Sequence, residues 1–147
     1  IHYLPFTDLT LPFSLKSVSE LEKLIKQYEI DTIYTHWAGD SNQDHINTFK
    51  TTMAAARYIP NVYCYEQIPI PRLTENLINI NYYVNIDNTF HDKIKAAECH
   101  KSQFDKYKKV GFDVGKNLKR MAEYRGIQAN CKYAEGFHII KKVENDY

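Results

Sequence analysis

One ten-residue segment concentrates side chains that could carry chemistry. It contains two histidines, two aspartates and an asparagine, in the order His36-Trp37-Ala38-Gly39-Asp40-Ser41-Asn42-Gln43-Asp44-His45. Imidazoles and carboxylates bind divalent metals and transfer protons, and an amide donates or accepts hydrogen bonds. The segment follows a stretch that predicts a strand and precedes a helical pattern. In an open parallel sheet, ligands bind beyond the carboxyl ends of the strands, so a site is expected in this segment.

The same residues also have a purely structural interpretation. Asp40, Asn42 and Asp44 are of the types that form turns and cap helices. His36 and His45 could merely border the core. Taken alone, the segment leaves both interpretations open.

Predicted strands and helices alternate along the chain. An S-x-x-E pattern at Ser17 and Glu20, followed by apolar residues at helical spacing, predicts a capped amphipathic helix. Strands are predicted at residues 1–4, 31–37, 61–66, 82–86 and 137–143. Further helices are predicted at residues 45–60, 88–102 and 114–126, the last stopped by Gly126, with a helical turn at 73–77. This alternation predicts an α/β fold, a three-layer sandwich with a mainly parallel sheet.

Composition indicates one ordinary domain spanning residues 1–147, with 44% hydrophobic and 25% charged residues. A net charge of +1 gives no general attraction to nucleic acid or anionic membranes. The apolar runs fall short of the ~20 residues that a membrane span needs. Three cysteines without metal-site spacing favour reduced thiols and a cytoplasmic location. The oligomeric state stays open, a homo-oligomer included.

Several sequence blocks resemble the LmbE/PIG-L family of zinc-dependent sugar N-deacetylases. Thr35-His36 followed by Asp40-x-Asn42-x-Asp44-His45 resembles the family's second signature, whose usual form is Asp-x-His-Pro-Asp-His, with an Asn variant at the first His. Further blocks follow in family order: Val62-Tyr63-Cys64-Tyr65-Glu66, Tyr83-Val84-Asn85-Ile86, His100-Lys101-Ser102-Gln103, Arg125-Gly126 and Tyr133-Ala134-Glu135-Gly136-Phe137. The resemblance covers nearly the whole chain, corresponds to the C-terminal two-thirds of the family, and implies a Rossmann-like LmbE fold without its first strand.

The resemblance also implies roles for the segment. His45 matches a zinc ligand, and Asp44 beside it would hold or orient the site. A histidine that polarises the acyl oxygen usually stands at the position of Asn42. Asn42 donates hydrogen bonds but carries no charge, so Asn42 and His36 are both candidates to stabilise the oxyanion. The candidate substrate-binding residues are Asp40, Trp37, which would stack on a sugar unless it is a core residue, and Arg72, which would meet an anionic group unless it is merely solvated.

The implied function is metal-dependent hydrolysis of an N-acetyl group from an amino sugar or glycoconjugate, with zinc or another divalent metal. Family members carry a His-Pro-Asp-Asp-type motif that supplies two further ligands and the general base, and this sequence contains none. A catalytic zinc needs about three protein ligands. The motif is therefore expected in a preceding segment, and this chain alone is expected to be inactive. The alternative is a catalytically inactive carbohydrate- or partner-binding module of the same fold. A nucleotide-binding Rossmann domain is disfavoured, because no glycine-rich phosphate loop is present.

Overall fold

Five helices and four strands occur in residues 1–67 and 78–144, the residues that the computed structural model describes. In chain order they are α1 Leu15–Gln27, β1 Thr32–Thr35, α2 Gln43–Ala55, β2 Asn61–Tyr65, β3 Tyr82–Asn85, α3 Phe90–Glu98, α4 Lys101–Lys108, α5 Val114–Ala129 and β4 Ala134–Lys141. The strands form one sheet in the order β1-β2-β4-β3. β1 pairs parallel with β2, and β4 pairs antiparallel with β2. The predicted α/β class is confirmed.

The chain divides into two compact units. Of the described residues, the first unit contains 1–67, 78–81 and 137–144, and the second contains 82–136. That residues 1–147 form a single domain stays a prediction. In the described part of the chain, no helix combines the length and apolarity needed to cross a membrane.

Helix α1 begins before the predicted Ser17–Glu20 capping box, because Ser14 caps it instead. Ser14 Oγ accepts from Ser17 N at 3.2 Å, and Ser17 Oγ accepts from Ser14 N at 3.0 Å. Ser17 is fully buried, and its hydroxyl lies 3.5 Å from Thr51 Oγ1 on α2. The predicted position of the cap is therefore wrong: Ser17 is the third helical residue, held inside by its contact with α2.

The core of the first unit holds the end of β1 against α2. Its buried residues are Ala56, Ile59 and Val62, with Ile25, Ile33 and Met53 packed against them. At the end of β1, the buried Thr35 Oγ1 donates to the buried Thr52 Oγ1 at 3.1 Å. A buried hydrogen bond that satisfies both hydroxyls avoids a desolvation cost of about 1–3 kcal/mol. His36, the next residue, is thereby fixed relative to α2.

Two further predicted elements are the strand at residues 1–4 and the helical turn at residues 73–77. The strand predicted at residues 1–4 is wrong: these residues form no strand, and Ile1 and Tyr3 are exposed. Apolar residues there therefore lack the buried face that would make a strand favourable. The helical turn predicted at 73–77 lies outside the described residues.

The second unit is organised around two stacked aromatic rings. Phe90 and Tyr133 lie nearly parallel at 4.0 Å between ring centroids, and Ile86 and Ala122 are buried with them. The carboxylate of Asp87 accepts from Tyr133 N at 2.6 Å. Together these contacts hold the segment before β4 against the start of α3.

Helix α5 continues past Gly126, so the predicted stop there is wrong. The helix ends at Ala129, and Asn130, with a left-handed φ of 57°, is its C-cap. Gly126 serves a close approach instead: a Cβ at this position would lie 2.5 Å from Lys132 O and 2.7 Å from Cys131 O. The backbone of residues 131–132 can therefore pass this close only because residue 126 has no side chain.

Substitution of this glycine should destabilise the protein. Gly126→Ala forces backbone atoms apart, and we expect it to lower the free energy of unfolding by about 2 kcal/mol or more. Gly115→Ala is the matched control on the same helix, because its Cβ would meet only ordinary contacts at 3.7 and 3.8 Å. Urea denaturation followed by circular dichroism measures both. Equal stabilities for the two variants would contradict the close approach.

Candidate functional site

The loop between β1 and α2 brings His36, Asp40 and His45 together. His45 Nδ1 lies 2.7 Å from Asp40 Oδ2. The rings of His36 and His45 stack face to face, with centroids 4.0 Å apart and planes within 9°. The side chains of His45 and Asp40 are only 22% and 9% exposed. The segment thus brings both of its imidazoles and one of its carboxylates together.

Asp40 builds the loop as well as contacting the imidazole. Its Oδ1 accepts from Asn42 N at 2.8 Å, and Asn42 Oδ1 in turn accepts from Asp44 N at 2.9 Å. Asn42 is thus the N-cap of α2, as the structural interpretation of its residue type predicts. The two oxygens of Asp40 therefore have different partners: one forms the turn before α2, and the other holds His45 in the first turn of that helix.

Asp44 does not contact the imidazole of its neighbour. Its Oδ1 accepts from Leu11 N at 3.1 Å, while Asn47 Nδ2 donates to Leu11 O at 2.8 Å. Both backbone groups of Leu11 are thus bound by side chains one turn apart on α2. The geometry makes Asp44 a tether for the segment before α1, and the carboxylate on His45 belongs to Asp40.

Tyr65 belongs to this cluster, although the sequence patterns do not single it out as a site residue. Its hydroxyl lies 2.9 Å from Nδ1 and 3.0 Å from Nε2 of His36. The parallel register pairs Thr35 with Cys64, so the next residues, His36 and Tyr65, come to the same sheet end. The rule that neighbouring parallel strands present their carboxyl ends together is the signal that could have found it.

Burial keeps this tyrosine and histidine pair neutral at pH 7. Desolvation, together with the nearby His45 and opposed by Asp40, lowers the pKa of His36 to about 4. Desolvation, with contributions from Asp40 and Cys64, raises the pKa of Tyr65 to about 12. The pair therefore offers hydrogen bonds without formal charge.

The remaining predicted site residues are Trp37, which contacts His138, and Arg72, which the structure does not describe. The half-buried Trp37 packs against His138, with ring centroids 5.1 Å apart at 64°. Arg72 lies outside the described residues. Stacking of Trp37 on a sugar and binding of an anionic group by Arg72 stay predictions.

The described residues fit one metal ligand but not a complete metal site. Within residues 1–67 and 78–144, no group of three or more His, Cys, Asp or Glu side chains is placed to hold a metal ion. His45 itself has the arrangement common to ligating histidines, in which a carboxylate binds the other ring nitrogen. One such imidazole falls short of the roughly three protein ligands that a catalytic zinc requires.

Three solved structures share this fold. The conserved protein TT1542 from Thermus thermophilus superposes with a TM-score of 0.76 and 19% identity over 96% of this chain and 65% of its own. The 4-carboxy-2-hydroxymuconate hydratase GalB from Pseudomonas putida superposes with a TM-score of 0.72 and 18% identity, over 91% of this chain and 62% of its own. The N,N'-diacetylchitobiose deacetylase from Pyrococcus horikoshii, complexed with its inhibitor MPG, superposes with a TM-score of 0.64 and 22% identity, over 92% of this chain and 55% of its own. No protein-family model and no curated protein matches the chain.

These likenesses show the fold. At 18–22% identity, the chain has the α/β fold of these three structures, in agreement with the fold class expected from the sequence. The chain spans 55–65% of the length of these structures. Because their names include both a deacetylase and a hydratase, the fold by itself does not select a reaction.

The low pKa of His36 predicts a loss of stability in acid. An imidazole in an unfolded chain has a pKa of ~6.5, whereas that of folded His36 is about 4. Between these values the unfolded chain binds a proton that the folded chain does not, so the free energy of unfolding falls as the pH is lowered through this window. Allowing for partial solvent screening, the wild type should lose ~1–2 kcal/mol more than His36→Gln between about pH 7 and pH 4.5.

Urea denaturation at several pH values, with EDTA present, measures this difference. His91→Gln, which removes an exposed imidazole, is the matched control for the loss of one histidine. If the wild type and His36→Gln lose stability in parallel on acidification, the desolvation of His36 is not the cause.

Proposed function

We propose that the complete protein hydrolyses the N-acetyl group of an amino sugar or glycoconjugate and that this chain supplies the His36, Asp40 and His45 side of the active site. The observation that carries the proposal is the hydrogen bond between Asp40 and His45 at the sheet end where the family signature lies. The resemblance to LmbE/PIG-L deacetylases supports the same reaction. So does the fold shared with the N,N'-diacetylchitobiose deacetylase.

Zinc or another divalent metal is the proposed cofactor, and His45 is the one ligand that this chain is proposed to supply. The other ligands and the general base would come from outside residues 1–67 and 78–144, because the described residues hold no group of three candidate ligands. The proposed partner is an N-acetylated amino sugar. Absence of nucleic-acid binding and a cytoplasmic location stay predictions, and the oligomeric state stays open.

Asn42 is the proposed hydrogen-bond donor to the oxyanion. Its Oδ1 accepts the backbone N–H of Asp44, which fixes the amide plane and leaves Nδ2 to donate. Within the described part of the chain, Nδ2 has no protein partner. Hydrolysis of an amide places negative charge on the carbonyl oxygen, and a donor held in advance stabilises that charge. His36 is a weaker candidate, since its ring already contacts the hydroxyl of Tyr65.

A catalytically inactive binding module of the same fold is the second candidate. It is favoured by the lack of a three-ligand group in residues 1–67 and 78–144. Such a module would bind an N-acetylated sugar or a protein partner without turnover. Sugar binding by the complete protein, with no acetate released when zinc is supplied, would decide for this alternative.

Acetate release is the direct test of the proposed enzyme. The complete protein, with any residues that flank this chain and with zinc supplied, should release acetate from N,N'-diacetylchitobiose or N-acetylglucosamine. His45→Ala should lower kcat/KM at least ~100-fold and reduce bound zinc, because it removes a proposed ligand. His91→Ala is the matched control. Unchanged zinc content in His45→Ala, measured by elemental analysis, would contradict the proposal.

Substitutions at Asn42 separate its cap role from its donor role. Asn42→Asp and Asn42→Ser both keep a side-chain oxygen that caps α2, so the free energy of unfolding should stay within ~0.5 kcal/mol of the wild type. Neither places an amide N–H at the site, so kcat should fall ~100-fold or more. Asn42→Ala should show the same fall in kcat, and its free energy of unfolding should also fall by ~1 kcal/mol because the cap is lost. Full turnover by the Asp and Ser variants would show that Asn42 acts only as a cap.

A further inference from the structure

We propose that the turn between α4 and α5, residues 108–112, and the lysines beside it bind the surface of an anionic lipid bilayer. This turn belongs to the second unit and contains none of the candidate site residues. The proposal is therefore independent of the proposed hydrolysis and would stand if that reaction were absent.

Charge is distributed unevenly along the chain. Residues 82–136, the described part of the second unit, contain eleven Lys or Arg against seven Asp or Glu, a net charge of +4. Since the whole chain carries +1, the remaining residues carry −3. The excess is concentrated in residues 101–120, where seven Lys or Arg stand against Asp105 and Asp113. Such a local excess creates the positive field that attracts an anionic surface.

The lysines at the turn have no carboxylate partner in the described part of the chain. Lys106, Lys108 and Lys109 are exposed and form no ion pair there. Asp113, the carboxylate that follows the turn, is the N-cap of α5, and its Oδ1 accepts from Lys116 N at 2.9 Å. Anionic headgroups would supply the counter-charges that these described residues do not provide.

The turn itself leaves an apolar side chain in solvent. Gly111, at a left-handed φ of 77°, donates from its N to Lys108 O at 3.0 Å. Phe112 N donates to Tyr107 O at 3.0 Å, which completes a Schellman motif. The rings of Tyr107 and Phe112 also pack edge to face, with centroids 5.8 Å apart. These contacts close the turn around Val110, which stays 76% exposed.

This combination fits a bilayer better than a nucleic acid. At a membrane interface, an apolar side chain enters the acyl boundary while long lysine side chains keep their ammonium groups among the headgroups. Nucleic acids are bound instead by arginine forks and by bases stacked on exposed aromatic rings. Here the two aromatic rings pack on each other, and six of the seven basic residues in 101–120 are lysines. The turn therefore favours anionic lipid.

Vesicle co-sedimentation of the complete protein, with any residues that flank this chain, tests the proposal. Vesicles of equal parts phosphatidylserine and phosphatidylcholine should bind it more tightly than phosphatidylcholine alone, and the difference should shrink as salt is added. Lys106→Gln, Lys108→Gln and Lys109→Gln combined should weaken binding to the anionic vesicles about 100-fold, at roughly 5-fold for each lost charge. The three corresponding Arg substitutions keep the charges and should bind like the wild type.

A matched control removes three exposed lysines from the first unit. Lys16→Gln, Lys26→Gln and Lys50→Gln combined change the net charge by the same amount and should leave binding within about 2-fold of the wild type. Val110→Ser keeps every charge and should weaken binding about 3–10-fold, because it removes the apolar group that enters the bilayer. Circular dichroism checks that each variant is folded.

Three outcomes would overturn the proposal. Equal losses in the two triple glutamine variants would show that only net charge matters. Wild-type binding that does not depend on phosphatidylserine would exclude recognition of anionic lipid. Tighter binding of a mixed-sequence RNA oligonucleotide, lost in the variant with the turn lysines replaced by Gln, would assign the surface to nucleic acid.

Discussion

The carboxylate of Asp40 is the interaction on which the candidate site depends. One oxygen accepts from the backbone of Asn42 and shapes the turn that starts α2, and the other binds His45. Formation of the helix and orientation of the imidazole are therefore coupled through one side chain. Because that side chain is only 9% exposed, water competes weakly for either bond. The short segment 40–45 thus contains both the cap and the oriented ring.

This loop has a fixed frame because hydroxyl groups tie its surroundings together inside an otherwise apolar core. Thr35 at the end of β1 bonds Thr52 on α2, and Ser17 on α1 approaches Thr51 on the same helix. A buried hydroxyl left without a partner costs about 1–3 kcal/mol, so each of these pairs favours the one alignment of α2 in which both hydroxyls are satisfied. The position of α2, and with it the first-turn residue His45, is set by these pairs.

Residue type and periodicity predict the alternating elements and the segment in which the site lies. They cannot choose between the carboxylates of Asp40 and Asp44, because side-chain direction at a helix start depends on the cap that forms. Tyr65 comes from another strand and joins the site only through the parallel register of β1 and β2. Glycine often ends a helix, so its residue type at position 126 predicts a stop. Its actual role is to let the backbone of residues 131–132 pass close by, and no local sequence pattern predicts that contact.

The electrostatics of the cluster limit what it can contribute to the proposed amide hydrolysis. The imidazole of His36 and the phenol of Tyr65 are neutral at pH 7, and Asn42 offers only an uncharged amide. A neutral donor still forms a charge-assisted hydrogen bond to an oxyanion, because the acceptor is ionised, but it brings no positive charge of its own. Stabilisation of a developing oxyanion by these side chains therefore depends on the donor being held in place before the reaction. The N-cap bond that immobilises Asn42 provides that constraint, which is why a residue that caps a helix is also the stronger candidate for the donor.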